Sequence, residues 1–104
     1  MAWVSLLLAG VFEIVWASAM KASDGFTRPW PVVLMVATMA LSFALLAHAM
    51  RSLPLGTAYA VWTGIGALGS FAVGIVAMGE PATAMRLGAA GLILSGIVLM
   101  KLAG

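Results

Sequence analysis

Leu6, Leu7, Leu8, Ala9, Gly10, Val11, Phe12, Glu13, Ile14, Val15, Trp16 and Ala17 form an apolar run interrupted by a single acid. The run belongs to a stretch long enough to cross a bilayer, for which about 20 mostly apolar residues suffice. A charged side chain at the centre of such a helix costs about 2.5 to 3.5 kcal/mol even on insertion scales, so Glu13 must pair, take up a proton or serve a function. Gly10 and Ala17 lie three and four residues from Glu13 on the same helical face, with Trp16 one turn away. Small neighbours leave room beside the carboxyl for a ligand or a second helix.

Composition extends this reading to the whole chain. Of 104 residues, 64% are hydrophobic and 8% are charged, which describes an integral membrane protein and not a soluble domain. The charged residues other than Glu13 are Lys21, Asp24, Arg28, Arg51, Glu80, Arg86 and Lys101, all where apolar runs stop. A net charge of +2 spread over several loops makes no basic patch, so no nucleic-acid partner is expected. Without cysteine, and with one histidine and one buried acid, the chain cannot assemble a metal cluster, a triad or a disulfide, and no phosphate-binding glycine loop is present. Neither a cofactor, a metal nor an enzymatic activity is expected. Ala17, Ser18 and Ala19 resemble a leader cleavage site, but no Lys or Arg precedes the run and Glu13 interrupts it, so retention is expected.

Taken in order, the chain reads as an all-α membrane protein with one four-helix domain over residues 1–104. Helices are expected over about 2–20, 30–50, 55–78 and 83–101. An Asp24-Gly25 turn signal, with Pro29 and Pro31 suited to a helix start, divides the first two. Arg51, Ser52, Leu53 and Pro54 separate the second from the third, and Gly79, Glu80 and Pro81 the third from the fourth. Breaks this short impose an up-down-up-down order.

Lys21, Arg28 and Arg86 then fall on one membrane side, and Arg51 and Lys101 on the other. A three-to-two division barely orients the chain under the positive-inside rule. Either loop details settle the orientation or the chain inserts both ways and pairs antiparallel. Inverted symmetry, which transporters use to alternate access around a midplane site, would here arise between two chains.

Helix 2 carries two internal hydroxyls, Thr38 and Ser42, each able to bond its own backbone or to face a site. His48 lies near the helix end and is read as interfacial. Helix 3 places Tyr59, Trp62, Gly66 and Gly69 on one stripe. Tyrosine and tryptophan offer donors for a carboxylate and π faces for an organic cation, although Tyr59 alone would suit an interfacial belt. Gly64 and Gly66 mark a kink or a close helix approach. On helix 4, Gly88, Gly91 and Ser95 with adjacent Gly96 read as a dimer contact. If the chain is a transporter, an ion gradient drives it.

The segment Gly10 to Lys21, then Gly25 to Arg28, then Leu53 to Gly66 carries a resemblance covering essentially the whole chain. It resembles the small multidrug resistance family, and within it the guanidinium-exporter branch, for which Trp16 in place of a small residue is the marker. The resemblance implies a bacterial inner-membrane antiparallel, dual-topology homodimer that exchanges protons for cations at Glu13 of each chain. It implies that Trp16, Ser42 and Trp62 hydrogen-bond the Glu13 carboxylates, that Tyr59 acts near the substrate or a gate, and that Gly10 lines the site. The family's glycine stripe on helix 4 is only partly present, with Ala89 where glycine is expected. Guanidinium and protons are the implied ligands. A polyspecific quaternary-ammonium exporter, or a non-transporting membrane subunit with Glu13 as structural glue, are the competing readings.

Overall fold

The computed structural model describes residues 1–103 and contains four helices: α1 (Ala2–Ala22), α2 (Pro29–Ala49), α3 (Leu55–Met78) and α4 (Ala84–Ala103). Each has an apolar stretch long enough to cross a membrane.

The boundaries follow from local chemistry and shift a few of the expected ends. Helix α1 continues past Met20 to Ala22, because Ser23 is what terminates it: its hydroxyl donates to the Met20 carbonyl at 2.7 Å and accepts from the Phe26 N–H at 3.0 Å. Asp24, Gly25 and Phe26 then take left-handed backbone (φ 51°, 71° and 68°), which reverses the chain. Glycine adopts this freely and aspartate tolerates it, whereas Phe26 is an outlier for a bulky residue. Helix α2 starts at Pro29, one residue before Trp30, since proline at the first helical position lacks only an N–H that would have no partner there. It ends at Ala49, not Met50. Helix α3 follows extended Pro54 and stops at left-handed Gly79 (φ 68°). Thr83 lies outside α4 and caps it, its hydroxyl accepting from the Arg86 N–H at 3.2 Å. At the other end, α4 runs on from Lys101 to Ala103.

Helix α1 packs against both α2 and α3, α2 touches α3 lightly, and α4 leans on α3. The Cα trace measures 41 × 34 × 16 Å. A width of 34 Å is what four helices nearly side by side require at spacings of about 8 to 10 Å. The chain is therefore a strip in the order α2, α1, α3, α4, thinner than the closed bundle that a four-helix count suggests.

The tightest packing is at the α1–α2–α3 junction, where Leu6, Ala9, Ala49 and Ala58 are wholly buried, beside Val61 and Trp62. Helix α4 has no buried residue. Gly64 and Gly66 do not interrupt α3, which is continuous across them. They serve packing instead: a Cβ on Gly64 would stand 2.9 Å from Cδ1 of Ile97 on α4, and one on Gly66 would strike Glu13 on α1.

Candidate functional site

Glu13 points from α1 into the seam with α3, and its carboxyl rests against the α3 backbone at Gly66. A Cβ there would run into Oε1 and Cδ of Glu13 and stand 2.8 Å from its Cγ. Close approaches continue along the seam, with Gly10 seating Ile65 and Gly69 seating Ile14. The glycines of both helices thus bring the acid to the surface of α3.

Glu13 Oε1 is buried and accepts no hydrogen bond, and Trp16 Nε1, one turn on, is buried and donates none. Among the described residues the one ion pair is Arg86 to Glu80 at 3.7 Å, so no cation compensates Glu13. Buried polar atoms are nearly always satisfied, and such exceptions need an explanation.

The neighbouring polar groups are, by contrast, already committed. Trp62 Nε1 donates to Ser42 Oγ at 3.0 Å, and Ser42 Oγ donates to the Ala9 carbonyl at 2.7 Å. Within a single chain, Ser42 and Trp62 are therefore bonded to each other and to α1, not to Glu13 as the resemblance implies. The reason is packing: both are buried at the three-helix junction, and Ala9 is small enough for α2 to approach its carbonyl. Thr38 takes the other course open to a hydroxyl in a helix, bonding the Leu34 carbonyl of its own turn at 2.7 Å.

Replacing Ser42 by alanine should leave the buried Trp62 N–H without an acceptor. The Ala9 carbonyl loses little, because it keeps its helical bond. The expected loss is about 1 to 2 kcal/mol, near the upper end for interhelical hydrogen bonds in membranes. Thermal unfolding in detergent micelles measures it, and Ser42→Thr should recover most of the difference.

Aromatic rings extend the site. Trp16 meets Phe43 edge-on at 6.4 Å, Phe43 lies 5.7 Å from Trp62, and Trp62 lies 5.6 Å from Tyr59. Three helices contribute to this chain of rings. Tyr59 is 54% exposed and stands at its open end, while Trp62 is almost wholly buried. Phe43 was not among the expected site residues. Its position next to Ser42 is the one signal the sequence offers, and since neighbours in sequence point about 100° apart on a helix, only the packing of α2 shows that both face the cluster.

The stripe on α4 takes no part in this cluster. Gly88, Gly91, Ser95 and Gly96 are all exposed, and a Cβ on any of the three glycines would meet nothing within 4 Å. Ser95 bonds its own Gly91 carbonyl at 2.8 Å. His48 is exposed near the end of α2 and lies outside the cluster.

Residues 1–94 match the model of the family described as Small Multidrug Resistance protein. The chain is 53% identical over 103 residues to a guanidinium exporter of Yersinia pseudotuberculosis, covering 99% of each chain. It is similarly 54% identical over 102 residues to the guanidinium exporter of Escherichia coli (strain K12), and 52% over 102 residues to that of Citrobacter freundii, covering 98% of this chain and 97% of each relative.

Proposed function

Because this chain belongs to the Small Multidrug Resistance protein family, we propose that it is a proton-coupled antiporter that exports guanidinium or small guanidinyl cations, with Glu13 as the shared binding group. It is a multi-pass protein of the bacterial inner membrane, with four helices of spanning length. The observation that carries the proposal is the buried, unpartnered Glu13 Oε1, seated against Gly66 one turn from Trp62 on α3 and one turn from Trp16 on α1, with Phe43 linking the two rings.

Guanidinium fits those surroundings in shape and in hydrogen bonding. It is planar, carries only donors, bonds a carboxylate in a two-pronged fork and stacks on aromatic faces. The unused acceptor of Glu13 suits such donors. Trp16 fills the space one turn along and restricts the site to a small ion.

The working unit in this proposal is an antiparallel homodimer, with one Glu13 from each chain near the midplane. Gly88, Gly91, Ser95 and Gly96 supply a contact at which a second α4 can approach closely, since all four are exposed and, among the described residues, nothing lies within 4 Å of a Cβ on the three glycines. The partner chain would also bring acceptors within reach of the Trp16 N–H. In this dimer Ser42 and Trp62 hold the aromatic wall in place, and their bonds can rearrange towards Glu13 when substrate enters. Tyr59, at the open end of the rings, is placed to meet an entering cation.

Exchange then follows from competition. Two nearby carboxylates can hold protons, or they can hold a cation, but a proton on the fork removes the acceptors that guanidinium needs. Protons arriving from outside release the cation there, and the next cation from inside releases protons inward.

Adding guanidinium to the detergent-solubilised protein in weak buffer should therefore release protons in a saturable manner, and a bulky quaternary ammonium should release far fewer. Equal release by both would make the protein polyspecific. No release by either would overturn Glu13 as an exchange site and leave it as structural glue.

A further inference from the structure

On the flank of α3 opposite Tyr59 lies a cleft of about 350 Å³ between α1, α3 and α4, walled by Leu7, Val61, Ile65, Ile97 and Val98. At its mouth Lys101, in the last turn of α4, holds its ammonium 4.5 Å above the ring of Trp3. We propose that this cleft binds an anionic phospholipid, with one acyl chain in the apolar channel and the phosphate on Lys101.

Charge complementarity selects the occupant. Among the described residues Lys101 has no carboxylate partner, whereas Arg86 at the opposite end of α4 is paired with Glu80. An ammonium has three donors, so the face of Trp3 leaves others for a phosphate. Tryptophan beside lysine at the end of a spanning helix marks the depth of the lipid headgroups.

The walls select a chain. They are almost entirely apolar, and Val61 to Ile65 on α3 span one turn, about 6 Å along the axis. That length takes the upper part of an acyl chain, whose remainder continues into the bilayer. Gly91 and Ser95 fall seven residues before Val98 and Leu102, so the proposed dimer contact runs beside the α4 rim of the cleft, about two turns deeper along the helix, and the outcomes below separate a lipid from a second copy of the chain. A lipid here would brace α4, which has no buried residue, against α1. This site stands whether or not Glu13 exchanges protons for guanidinium.

Native mass spectrometry of the full-length protein, titrated with phosphatidylglycerol or phosphatidylcholine of matched chains, tests the assignment. Phosphatidylglycerol should be retained preferentially, and Lys101→Gln should lower its retention about five-fold, the effect of one lysine at an anionic headgroup. Arg51→Gln, which removes an exposed cation at the same membrane side away from the cleft, should not. Val98→Trp, which fills the cleft from its exposed rim, should lower retention of both lipids.

Equal losses in Lys101→Gln and Arg51→Gln would reduce the effect to general surface charge and overturn the site. Displacement of phosphatidylglycerol by inorganic phosphate at equal concentration would show an anion site without a chain, and would likewise overturn it. Dissociation of dimers in Val98→Trp with lipid retention unchanged would assign the cleft to a second copy of the chain.

Discussion

Glu13→Gln should abolish pH-driven guanidinium uptake in proteoliposomes, to the level of protein-free vesicles, while the protein still purifies folded and in the proposed dimeric state. Glutamine has nearly the volume of glutamate, so the side chain can keep its seat against Gly66. It removes a charge from a membrane-spanning helix, which relieves a cost of about 2.5 to 3.5 kcal/mol in any state where that charge is exposed to lipid. Folding should therefore survive. Function should not, because an amide does not take up and release a proton in water as a carboxyl does, and its NH₂ group presents donors to a cation that itself has only donors. Retained pH-driven uptake by this variant would sink the antiport proposal. Loss of the dimer along with activity would instead identify Glu13 as the glue between chains.

The second large effect should come from Gly66→Ala, a change of one methyl group on the neighbouring helix. The new Cβ would occupy the space now taken by the Glu13 carboxyl, standing 2.8 Å from Cγ and closer still to the carboxyl atoms. A Cβ is fixed to its backbone and cannot turn aside, so the flexible Glu13 side chain must leave the seam. Displacement of a reacting group by about 1 Å can cost on the order of 100-fold, and guanidinium transport should fall by about that factor. Gly64→Ala is the matched control: its Cβ would stand 2.9 Å from the side-chain end of Ile97 and away from Glu13. Ile97 can give way, and transport should remain close to wild type. If Gly66→Ala transports as well as Gly64→Ala, the seat of Glu13 against α3 is not the geometry that works.

These two glycines show where sequence reasoning stops. Both lie in the apolar run of α3, and their lack of side chains announced a kink or a close approach without saying which, or against what. The structure assigns Gly64 to α4 and Gly66 to α1. Residues two apart on a helix differ by about 200° in direction, so Gly64 and Gly66 must face different neighbours, but which neighbour depends on the order of helices in the strip. Ser42 and Thr38 carry the same lesson. Identical chemistry one turn apart gives a bond between helices at Ser42 and a bond within the helix at Thr38.

The sequence by itself determined the four spans to within two residues at each end, because hydropathy, Pro29, Pro54, Gly25 and Gly79 act locally on the backbone. It also singled out Glu13, since an acid inside an apolar run of spanning length must pair, take up a proton or serve a function whichever helices surround it. Only the tertiary structure decided that the helices stand nearly in a row, that Phe43 joins the aromatic chain, and that Ser42 and Trp62 are bonded to each other while the polar atoms of Glu13 and Trp16 are left free. A helix bound for a membrane is apolar on all sides, so its pattern does not separate the face that meets protein from the face that meets lipid. That choice is made by the shapes of small and large side chains when the helices come together, which is how Gly66 comes to hold Glu13.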